Sequence, residues 1–73
     1  MIKFIARFQA EYPGIDATQY SCITWQQDGE VPDTTMARGM IAHNTAFYFF
    51  RLFDKNIEPD KIIVSIDLVE KFK

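Results

Sequence analysis

From Ile2 to Gln9 the chain alternates, with Ile2, Phe4, Ala6 and Phe8 on one side and Lys3, Ile5, Arg7 and Gln9 on the other. A period of two predicts a half-buried strand over Ile2–Phe8 with one wetter face. Tyr12-Pro13-Gly14 ends the alternation in a turn, because Pro13 fixes its own φ and Gly14 accepts a positive one. A second run, Tyr20–Gln27, is rich in strand formers; Ile23 and Trp25 are expected toward the core, with Tyr20, Cys22 and Thr24 opposite. Asp28-Gly29 reads as a turn, and Glu30-Val31-Pro32 as a possible short return strand that Pro32 would stop.

The pattern then changes period. Asp33–Asp54 reads as a helix, opened by the capping residues Asp33, Thr34 and Thr35 after Pro32. It is expected to stop at Asp54-Lys55-Asn56, with Asn56 in a left-handed cap and Pro59 blocking continuation. Lys61–Val69 is a third strand, with Ile62, Val64, Ile66 and Leu68 facing the core and Ile63, Ser65, Asp67 and Val69 facing away. The order β-β-α-β predicts a single α+β domain over residues 1–73, with a small, mostly antiparallel three-stranded sheet under one long helix. A right-handed crossover lays the last strand parallel to the second and puts the first between them.

The helix carries more apolar surface than one sheet covers. At about 100° per residue, Phe49, Ala42, Phe53, Ala46, Gly39, Phe50, His43, Met36, Phe47 and Met40 form a broad arc. A narrower strip of Ala37, Ile41, Tyr48 and Leu52 lies beyond a seam of Arg51 and Asn44, with Thr45 and Arg38 closing the circle. The strip, rimmed by Arg38 and Arg51, is the expected protein interface, and self-association as a homodimer is the expected use. Gly39, inside the helix, predicts close approach by a neighbour. With Ala42 and Ala46 it forms a small-residue groove for the sheet or for a second helix.

Size sharpens the expectation of a partner. A 73-residue chain buries only about 60% of its unfolded surface and often needs a staple. One cysteine, Cys22, supplies neither an intramolecular disulfide nor a thiolate-rich zinc site, which leaves oligomerisation. No leader pattern and no long apolar run occur, so a cytoplasmic protein without membrane contact is expected. Net charge is −2, which argues against direct nucleic-acid binding. The charge is uneven: between Arg7 and Arg38 the five acids Glu11, Asp16, Asp28, Glu30 and Asp33 meet no basic residue. A second expectation is therefore an acidic inhibitor or regulator, of the sort phages and mobile elements make. It would dock this stretch on a basic groove of a nucleic-acid-handling protein.

Chemistry is sparsely represented. Cys22 and His43 are the single cysteine and histidine, but no nucleophile motif joins them. Asp28, Glu30 and Asp33 lack the alternation and closing Glu of a calcium loop. Asp67 and Glu70 are expected on opposite faces of a strand, and the Phe47–Phe53 aromatics read as core. No catalytic residue, metal site or cofactor is expected, and an enzyme is the last of the function classes considered.

Overall fold

The computed structural model describes residues 1–72. Strands β1 (Ile2–Tyr12), β2 (Ile15–Gln27) and β3 (Ile63–Lys71) form one sheet in the order β2-β1-β3, with β1 antiparallel to both neighbours. The α+β class and the β-β-α-β order are those read from the pattern. Pro13-Gly14 joins β1 to β2, and Gly14 adopts φ 87°, as the second central position of a type II turn requires. Both hairpin strands run further than expected. The alternation of β1 continues through buried Ala10, whereas Asp16, Thr18 and Gln19 in β2 carry too little apolar pattern to announce a strand.

No strand forms at Glu30-Val31-Pro32. Instead the Gln27 amide folds this loop back: its Nε2 donates to the Gly29 and Val31 carbonyls at 2.8 and 2.7 Å. Its Oε1 accepts from Trp25 Nε1 and from the Asp33 backbone N–H. Asp33 then caps the helix, its carboxylate accepting from Met36 N at 3.0 Å.

The helix over residues 34–50 has three parts: α1 (Thr34–Met40), a π-helical turn (Ile41–Thr45) and α2 (Ala46–Phe50). In the π turn the Ala46 N–H donates to the Ile41 carbonyl, five residues back, so one residue more than usual fits into the turn. The buried positions follow that insertion: Ala37, Ile41, Ala46 and Phe50 lie at spacings of four, five and four. A uniform α-helix continued from Ala37 and Ile41 would aim Thr45, Tyr48 and Leu52 at the sheet. The extra residue brings in Ala46 and Phe50 instead. The helix stops at Phe50, earlier than predicted, and Asn56 does not adopt a left-handed cap; its N–H donates to the Asp54 carboxylate.

A second single-residue insertion lies in β3. Arg7 pairs with Leu68 but Phe8 pairs with Ile66, which leaves Asp67 as the extra residue of a β-bulge. Val64 and Ile66 face the helix as predicted. Past the bulge the faces exchange, so Val69 joins the core and Leu68 is 43% exposed. The core is Phe4, Ala6, Phe8 and Ala10 from β1 and Trp25 from β2, under the helical stripe and closed by Ile57 and Ile62. Trp25 stacks on Phe4 at a centroid separation of 5.7 Å.

Candidate functional site

The structure divides the predicted helix strip. Ala37 and Ile41 are fully buried against the sheet, so they take no part in a surface contact. Tyr48 and Leu52 remain outside, at 63% and 81% exposure, because the π turn rotates α2 by about one residue relative to α1. The buried stripe thus takes Ala37 and Ile41 from one apolar surface of the wheel and Ala46 and Phe50 from the other. Arg38 donates to the Val64 carbonyl of β3, and the Arg51 guanidinium lies 5.5 Å from the Phe47 ring centre. Both arginines are exposed, on the flanks of the helix.

What survives of the strip is enlarged by one neighbour. Phe53, assigned to the core arc by the wheel, is 56% exposed, with its ring 5.5 Å from Phe49. Tyr48, Leu52 and Phe53 are thus three exposed apolar side chains around the C-terminal end of the helix, which we call its ridge. Backbone bonds from Leu52 to Phe49 and from Phe53 to Phe50 keep that turn wound beyond α2.

Gly39 has no close neighbour: a Cβ placed there would meet nothing within 4 Å. The small-residue groove is therefore not formed, since Ala46 packs in the core while Gly39 lies beside open space. Gly39→Ala is expected to stabilise the protein by up to about 1 kcal/mol, because it removes helix-disfavouring backbone freedom without a clash. Urea unfolding measures this, and a destabilised variant would show that the position is crowded.

The five acidic residues do not make one docking face. Glu11 and Asp16 border a shallow hollow of about 210 Å³ at the Pro13-Gly14 end of the hairpin. Asp28, Glu30 and Asp33 follow the other end of β2, a 13-residue strand that at about 3.3 Å per residue separates the two groups by on the order of 35 Å. Glu30 also lies 3.7 Å from Lys71, and Asp33 is committed to the helix cap.

The sheet face away from the helix carries Ile5, Arg7, Tyr20, Cys22, Ile63, Leu68 and Glu70. Arg7 Nε donates to Asp67 Oδ1 at 3.0 Å, and this bond, then the carboxylate's charge, holds the guanidinium pKa above its ordinary value. The bulge sets Asp67 and Glu70 on the same face, contrary to strict alternation, with Arg7 among them. Arg7, Asp67, Tyr20 and Cys22 line an open depression of about 310 Å³. Cys22 is exposed there, whereas His43 is exposed on the helix, so the sheet stands between them and no Cys–His pair is assembled. Among the described residues no three His, Cys, Asp or Glu side chains cluster closely enough to hold a metal ion. Nor is any helix there long and apolar enough to cross a membrane. No family model, curated protein or solved structure matches the chain.

Proposed function

We propose that the chain is a small non-enzymatic protein-interaction module that acts by stoichiometric binding, with the helical ridge of Tyr48, Leu52 and Phe53 as its contact surface. The observation that carries this reading is the joint exposure of three large apolar side chains within six residues at the C-terminal end of the helix, with Arg51 among them in sequence. Water is a poor neighbour for such a surface. Its burial is worth about 25 cal/mol per Å² of apolar area, and contiguous exposed patches mark contact sites. Tyrosine and arginine are also the residue types that most often anchor interfaces.

Tagged wild-type protein and a Tyr48→Asp/Leu52→Asp variant, both used as bait in extracts of the native host, test the ridge. Wild type is expected to retain a partner in a fixed molar ratio, and the variant to lose at least about nine-tenths of it, as removal of central interface anchors does. An unchanged set of retained proteins would overturn the ridge as the contact surface. The substituted positions are exposed, so stability is expected to stay within about 0.5 kcal/mol of wild type.

A further inference from the structure

We infer that the outer edge of β2 pairs antiparallel with the same edge of a second copy, making one six-stranded sheet across a two-fold axis. This goes beyond the helical ridge and uses a different surface, so either can fail without the other.

The edge itself is the first observation. β2 is the longest strand, thirteen residues, and it is outermost in the sheet. Alternate backbone N–H and C=O groups along it point away from β1, and strand edges of this kind are templates for further pairing. Natural sheets protect such edges with charges, proline or bulges. β3, at the other side, has these devices: Asp67, Glu70 and Lys71, a bulge at Asp67, and a carbonyl at Val64 engaged by Arg38. From Ala17 to Gln27, β2 has neither a charged residue nor a proline, and its one irregularity lies at the hairpin end.

That bareness favours a second copy as the occupant. In antiparallel self-pairing across a two-fold axis each residue meets another of the same strand, so a charged edge would confront like charges in many registers. An uncharged run from Ala17 to Gln27 meets none. The axis stands perpendicular to the sheet, so both helices lie on one face and the inner faces of the two β2 strands become continuous.

Two further observations lie on that inner face. Gln19 pairs with buried Ala10, so its side chain is on the helix side, where its Oε1 is buried and meets no donor among the described residues. A buried acceptor left unpaired destabilises the fold. A turn of the Gln19 side chain toward the edge would bring that oxygen to the inner-face donors of the second β2, Gln19 and Ser21. In addition, α2 lies over β2 while Arg38, on one flank of the helix, reaches β3, so the opposite flank runs along the β2 side. The two-fold axis turns the equivalent flank of the second helix toward it.

Light scattering on size-exclusion fractions, with a reductant present so that Cys22 forms no cross-link, is the first measurement. The wild type is expected at twice the 8.5 kDa chain mass. A Cys22→Lys/Thr24→Lys variant, altered at two exposed edge positions, is expected to dissociate with a Kd raised at least about tenfold, because like charges then face each other across strands. Leu52→Asp is expected to remain dimeric. Hydrogen exchange on the wild type needs no variant: alternate β2 amides are expected to slow at least about tenfold between dilute and concentrated protein, while the amides of the β3 edge are unchanged. A wild type that stays monomeric with concentration-independent exchange overturns the inference. So does a dimer that survives the lysine pair, folded as judged by circular dichroism, yet is split by Leu52→Asp.

Discussion

Ile41→Asp is expected to abolish cooperative folding. Ile41 is fully buried at the centre of the helical stripe, touching the cluster of Phe8, Ala10, Ala46 and Phe50. Loss of its packing costs about 2–5 kcal/mol. An unpaired carboxylate in the same place adds about 3–5 kcal/mol, comparable to the penalty of leaving any buried charge uncompensated. A 73-residue domain holds about 4–11 kcal/mol in all, so a combined cost of about 5–10 kcal/mol is as large as the whole of what is available. Far-UV circular dichroism with urea is expected to show no sigmoidal transition. A cooperative transition within about 1 kcal/mol of wild type would place Ile41 on the surface and overturn the buried stripe. Leu52→Asp, on a residue of the same predicted strip, is the matched comparison because Leu52 is exposed.

Deletion of Asn44 is expected to be tolerated, whereas insertion of one alanine after it is expected to unfold the protein. Asn44 is exposed within the π turn, and its removal leaves Ile41 and Ala46 four positions apart. The buried set then recurs every four residues on an ordinary α-helix, whose single turn still advances the chain about 5.4 Å. Stability is expected within about 1 kcal/mol of wild type, since no core side chain is lost. An insertion puts six positions between Ile41 and Ala46, which neither an α turn nor a π turn spans. Ala46 and Phe50 then leave the core, and loss of Phe50 alone costs about 3–5 kcal/mol. Thermal unfolding of the two variants side by side is the measurement. Equal damage from deletion and insertion would contradict a continuous stripe across the π turn.

The strands and their order were legible because alternation survives wherever pairing is regular. Ile2, Phe4, Ala6 and Phe8 are read correctly for that reason. Both phase errors have one physical origin: periodic reading assumes that no residue is inserted. The π turn moves Ala37 and Ile41 inside and leaves Tyr48 and Leu52 outside, and the bulge at Asp67 exchanges Leu68 with Val69. Neither insertion has a local signature in residue type; each is visible only when two elements must agree on a shared core. Ile57 was missed for a different reason. It is buried from a loop, where no periodicity exists to mark it. The candidate interface fared like the helix that carried it, with Tyr48 and Leu52 found at the surface and their supposed neighbours beneath it. The acidic stretch looked coherent because it is contiguous in sequence, but β2 runs through its middle as one extended strand and holds its ends apart.

The central position of β1 also sets an order of events in folding. β1 is the first strand of the described chain, yet its second neighbour, β3, begins only at Ile63. The β1–β2 hairpin closes over a short loop and is expected to form early, since local contacts carry little loop-closure entropy. During synthesis its apolar side, with Phe4, Phe8 and Trp25, waits for the helix, and one edge of β1 waits for β3. The nascent hairpin is therefore open along both edges until the last strand has left the ribosome, which makes that interval the time of greatest exposure to aggregation.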